Sequence, residues 1–99
     1  MTSRENILRK IRALKPLLEA EGVAHMTLFG SQARETATDE SDIDIAIEVA
    51  PKSKFSMLNL VGVEQLVAEA TGFPANAFMK RALDKGFIEQ IENDGIRVF

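Results

Sequence analysis

Two aspartates, Asp42 and Asp44, stand two residues apart in the run SDIDIAIEV, whose alternate positions are Ile43, Ile45, Ile47 and Val49. In an extended chain such residues project from one face with Cα atoms roughly 6.5 Å apart, so both carboxylates can reach one ion. Like charges so placed raise each other's pKa when the face is partly buried, and a hard divalent cation relieves them. On a face open to water the pair costs little, and a half-wet alternating strand is a common object. Upstream, Gly30 and Ser31 follow the apolar run ending in Leu28 and Phe29. A strand that ends in glycine and enters a helix offers backbone N–H groups and a hydroxyl to a phosphate, although the same pair also serves as a plain turn and N-cap. Arg34 falls on the same side of that short helix, where it either clamps a phosphate oxygen or makes a surface ion pair. A phosphate cradle beside a carboxylate pair is what metal-assisted chemistry on a nucleoside triphosphate requires, because Mg²⁺ bridges acidic side chains and phosphate oxygens.

The elements that must position these residues follow from periodicity. Thr2 and Glu5 have capping-box spacing, and Ile7, Leu8, Ile11 and Leu14 recur at helical intervals, which predicts a helix from about residue 3 that Pro16 interrupts. A second short helix through Leu17 and Leu18 should end at Gly22. His25 to Phe29 reads as a strand, SQARETA as a brief helix, and TDES, residues 38–41, as a turn. Asp42 to Val49 is the clearest strand, with the isoleucines on one face and Asp42, Asp44, Ala46 and Glu48 on the other. Ser56 is placed to cap a helix whose Leu58, Val61, Leu66, Val67 and Ala70 face inward as far as Gly72. A strand over 73–79, a helix carrying Leu83, Phe87, Ile88 and Ile91, an Asp94-Gly95 turn and a short strand from Ile96 to Phe99 complete the chain. The order predicts an α+β fold, a small mixed β-sheet flanked by helices, in one domain over residues 1–99.

Composition narrows the surroundings. With 45% apolar and 27% charged residues the chain has the balance of an ordinary globular domain. It has no cysteine, so disulfides and thiolate metal sites are excluded, which fits a reducing, cytoplasmic setting. No apolar run is long enough to span a bilayer. The net charge of −3 hides an asymmetry: residues 1–15 hold Arg4, Arg9, Lys10, Arg12 and Lys15 against Glu5 alone, a balance of +4 that leaves −7 elsewhere. Without interleaved aromatics this basic end reads as a solvated helix face, and nucleic acid is not an expected partner. His25, the single histidine, reads as structural, and Met26, Met57 and Met79 as core filler.

GSQAR followed by SDIDI resembles the G-S-x-A-R…S-D-x-D-[LI] signature of the minimal nucleotidyltransferases, compact members of the DNA polymerase beta superfamily. The resemblance implies the nucleotidyltransferase fold and a site in which Gly30, Ser31 and Arg34 bind the triphosphate of ATP or another nucleoside triphosphate. Asp42 and Asp44 would be the catalytic carboxylates and the ligands of two Mg²⁺ ions, with Mn²⁺ as a substitute, during transfer of a nucleotidyl group, AMP in the case of ATP, to a protein or RNA acceptor. It further implies an antitoxin paired with a HEPN-type toxin, and a homo-oligomer is compatible with it. Where relatives have glycine after the arginine this chain has Glu35, and where they carry a third carboxylate on the next strand it has Asn76, within PANAF, as the third candidate metal ligand. Glu48, on the face of the aspartates, is a candidate replacement for that charge. The amide at Asn76 gives the alternative expectation of a catalytically weakened module that neutralises its partner by occlusion.

Overall fold

The computed structural model describes residues 4–34 and 42–99. Thr2 of the expected capping pair, Glu35, the last residues of SQARETA and the TDES turn lie outside them. The order is α1 (Arg4–Arg12), α2 (Lys15–Glu21), β1 (Val23–Phe29), α3 (Gly30–Arg34), β2 (Ile43–Val49), α4 (Met57–Thr71), β3 (Ala75–Met79), a 3-10 turn (Lys80–Ala82), α5 (Lys85–Asp94) and β4 (Ile96–Arg97). Pro16 stands in the first turn of α2, where its missing N–H deprives the helix of no bond. The four strands form one mixed sheet ordered β3-β2-β1-β4, with β2 antiparallel to β1 and parallel to β3, and β4 antiparallel to β1. This is the α+β architecture that the element order predicts.

The isoleucine face of β2 is the core face. Ile43, Ile45 and Ile47 are buried with Met26 and Leu28 of β1, Ile7, Leu8 and Ile11 of α1, and Val63 and Val67 of α4. Burying such side chains is worth about 1.5–3 kcal/mol each relative to exposure. The opposite face is not the open polar surface that alternation suggests: Ala46, aligned with Thr27 on one side and Phe78 on the other, is fully buried.

Helix α4 turns differently from its expected orientation. Leu58 is 85% exposed and Val61 is exposed as well, while Val63, Val67 and Thr71 point inward and Leu60 and Leu66 pack at the margin. Apolar residues surround much of this helix, so its pattern does not choose a face; the packing of α1 and the sheet does. Met57, read as core filler, is 70% exposed for the same reason. Leu83 precedes α5 rather than lying on it, because Asp84 caps that helix by accepting the Phe87 N–H at 2.8 Å. Phe87, expected inward, is more than a third exposed.

Three of the basic residues at the start of the chain are spent on the fold. Arg4 donates to the Ala33 carbonyl at 2.9 Å, Arg12 to the carbonyls of Val98 (2.9 Å) and Arg97 (3.3 Å), and Lys15 lies 5.8 Å from the Phe99 ring centre. These contacts tie α1 to α3 and to β4. At the outer edge of the sheet, Glu64 of α4 accepts the Ala77 N–H of β3 at 2.9 Å. Among the described residues no helix is long and apolar enough to cross a membrane.

Candidate active site

Pairing of β2 with β3 assembles the acidic cluster. Asp44 and Asn76 are partners in the parallel register, and the Asn76 amide nitrogen donates to Asp42 Oδ2 at 3.0 Å and to Asp44 Oδ1 at 3.3 Å. Facing two carboxylates, an amide presents its donor end, so Asn76 places partial positive charge where two negative charges converge. Burial pushes the Asp44 carboxyl above its usual value of 3.8; the bond from Asn76 opposes this, nearby Asp42 adds to it, and Arg34 counters it.

The Gly-Ser turn closes on the same cluster. Phe29, at the end of β1, pairs with Asp44, and the chain then enters α3 at Gly30 with φ at +76°, a conformation that L side chains rarely adopt. A Cβ at this position would lie 2.6 Å from Asp44 Oδ2, so only glycine lets the turn approach the carboxylate this closely. Ser31 is partly exposed and Arg34 exposed at the far end of α3.

Gly30, Arg34, Asp42, Asp44 and Asn76 are thus brought to one region of the sheet face opposite the core, with Ser31 next to Gly30. Glu48 is not in that group. It lies four residues further along β2, roughly 13 Å away by strand rise, and pairs with Lys80 at 3.9 Å. His25 is at that distant end too, across from Glu48, with Arg97 2.7 Å from its Nδ1. Among the described residues no three His, Cys, Asp or Glu side chains gather as a metal site. The oxygen donors gathered at this point are the carboxylates of Asp42 and Asp44, the hard ligand type that suits Mg²⁺ or Mn²⁺, while Asn76 turns its amide nitrogen toward them. Phe29 packs against both Phe78 and Phe87 beside the cluster, and the scattered positions of the three carry no motif that marks them for a site.

Comparison with known proteins places the chain in a family. The family model of the nucleotidyltransferase domain matches residues 6–98, and the chain belongs to that family. A Methanocaldococcus jannaschii protein named "putative protein adenylyltransferase" is 32% identical over 95 residues, 95% of this chain and 93% of that one. The protein adenylyltransferase MntA of Thermococcus cleftensis is 27% identical over 84 residues, 85% of this chain and 83% of its own. Among solved structures, one described as a putative minimal nucleotidyltransferase has a TM-score of 0.82 at 21% identity, covering 97% of this chain and 96% of the other. A chain from a Shewanella oneidensis complex of a tri-AMPylated HEPN toxin with an MNT antitoxin has a TM-score of 0.68 at 19% identity, covering 94% and 71%. At these identities the structural likeness is one of fold.

Proposed function

We propose that this chain is an adenylyltransferase that moves AMP from ATP to a hydroxyl on a partner protein, the partner being a HEPN-type toxin for which the chain is the antitoxin. The observation that carries the reading is the convergence of Asp42, Asp44 and Asn76 on one point, with the Gly30 turn packed against Asp44. The names of the relatives support the adenylyl group and the toxin partner. In the transfer, the acceptor hydroxyl gives up its proton to solvent as its oxygen forms a bond to the α-phosphorus, the bond from that phosphorus to the bridging oxygen breaks, and pyrophosphate leaves. Gly30, Ser31 and Arg34 would bind and orient the triphosphate. Asp42 and Asp44 would hold Mg²⁺, whose chemistry is to neutralise phosphate charge and polarise the reacting phosphoryl group. Asn76 would contribute its carbonyl oxygen after releasing its hold on the carboxylates.

Thermal unfolding with Mg²⁺ and ATP tests the site. Together they should raise the melting temperature more than the sum of their separate effects, since a ligand at 100 times its Kd stabilises by about 2.7 kcal/mol. Asp42→Ala with Asp44→Ala should abolish the synergy and leave the protein folded. Absence of synergy at millimolar ligand in the wild type would sink the assignment. A second reading, a weakened enzyme that neutralises its partner by occlusion, is favoured by the neutral Asn76 between the two aspartates. Labelled ATP with Mg²⁺ and the product of the neighbouring gene separates the two: label on the partner supports transfer, and a stable unlabelled complex supports occlusion.

A further inference from the structure

Phe29, directly across from Asp44 and immediately before Gly30, is the middle of three packed rings. Phe78 of β3 lies 5.7 Å from it, tilted by 59°, and Phe87 of α5 lies 6.0 Å away, edge-on at 88°. Such contacts would fix α5 to the sheet, yet Phe87 retains 38% of its surface and Phe78 36%. Beside Phe29 and Phe87 a cavity of about 180 Å³ opens between α3 and α5, lined also by Gly30, Arg34, Gln90 and Asp94. Sites for whole small molecules run to ~300–1,000 Å³, so this one suits part of a ligand.

We propose that the cavity takes the nucleobase of the bound nucleotide, and specifically a base carrying an exocyclic amine. This rests on the reading of Asp42, Asp44 and Gly30 as a nucleotide site. Gly30 borders the cavity and also abuts Asp44 Oδ2, where a Cβ would approach to 2.6 Å. A nucleotide with its base in the cavity therefore carries its phosphates past Gly30 toward the carboxylates. The exposed ring of Phe87 supplies a flat apolar surface of the kind on which any base stacks. Gln90 and Asp94, four apart on α5, share one side of that helix. The carboxylate of Asp94 only accepts, so it welcomes an amine on the base edge and repels an oxo group in the same place, while the amide of Gln90, which donates and accepts, serves either.

Calorimetric titration in Mg²⁺ with ATP, ITP and inorganic tripolyphosphate tests this. ATP should bind more tightly than tripolyphosphate, which has no base, and than ITP, which has an oxo group in place of the amine. Phe87→Leu should weaken ATP about tenfold or more, the size of a lost stacking contact, and leave tripolyphosphate unchanged. Asp94→Asn, at an exposed position, should narrow the gap between ATP and ITP. Equal affinity of the wild type for ATP and tripolyphosphate, or a parallel loss of both in Phe87→Leu, overturns the proposal. Should Phe87→Leu fail to fold, an unchanged ATP-to-ITP ratio in Asp94→Asn overturns it alone. If the wild type binds neither ATP nor tripolyphosphate, the nucleotide-site reading itself fails and the base pocket falls with it.

Discussion

Replacing Gly30 by alanine perturbs the site at its tightest point. With φ at +76° the new side chain would sit in the left-handed region, at a cost of about 1–2 kcal/mol for an L residue. Its Cβ would stand 2.6 Å from Asp44 Oδ2, and ordinary contact begins at 3.4 Å, so the carboxylate must retreat by the difference, 0.8 Å. Moving it away from its rotamer and from the Asn76 amide adds about 0.5–1.5 kcal/mol. The total of roughly 1.5–3.5 kcal/mol corresponds to a fall in Tm of about 6–28 °C for a domain of this size. Two-state thermal melts of a double-mutant cycle separate the parts. In an Asp44→Ala background the carboxylate is gone and only the residue's Cβ remains, at 3.4 Å, so Gly30→Ala should then cost about 1 kcal/mol less. Additivity within about 0.5 kcal/mol would refute the crowding argument, and a neutral Gly30→Ala would refute the conformational one.

Asp44→Asn should stabilise the ligand-free protein at neutral pH. Because burial and Asp42 raise the Asp44 pKa in the folded state, the native protein holds that proton more tightly than the unfolded chain, and wild-type stability falls as pH rises from 3.8 through the raised value. The gain of the variant, read from urea melts, should therefore appear across that window, persist above it and vanish below it. Asn76→Asp removes the donor to both aspartates and adds a third negative charge; it should lower the Tm without Mg²⁺, recover it with Mg²⁺, and raise transfer by about 10²–10⁴ if the missing group acts as a base, with ATP affinity nearly unchanged. Ser31→Ala should weaken ATP binding by about 1–3 kcal/mol if its hydroxyl bonds a phosphate, whereas an effect on stability alone would mark it as a cap. Arg12→Ala removes the bonds to the Val98 and Arg97 carbonyls and should cost about 1–2 kcal/mol; hydrogen exchange at the Val98 N–H, which bonds the Met26 carbonyl at 2.8 Å, reports the loosening of β4.

What local pattern encodes was legible in the sequence, and what depends on distant partners was not. The alternation of Ile43, Ile45 and Ile47 marks β2 because burial on one face has a period of two. The shared motif of Gly30, Ser31, Asp42 and Asp44 pointed to the fold, and the structure aligns Asn76 with Asp44. Leu58 and Val61 of α4 face solvent against the expectation from spacing because a helix apolar nearly all round takes its orientation from its neighbours. The Arg12 contacts with Val98 and Arg97 span more than eighty residues, and no local signal announces them. The aromatic group of Phe29, Phe78 and Phe87 escaped for the same reason, since three single residues on three elements meet only when the sheet and α5 come together.

The carboxylate of Glu64 on the Ala77 N–H bears on how this protein keeps company with itself. Among the described residues strand β3 has a neighbour on one side only, and an unpaired row of amides is a template on which the extended segment of another molecule can grow a sheet. Glu64 covers one of the amides that such an intruder would need and sets a negative charge beside its carbonyls. The edge is guarded by a side chain from a helix, with neither a proline nor a bulge in the strand. One carboxylate thus stands between an open amide of this edge and the strand of another molecule.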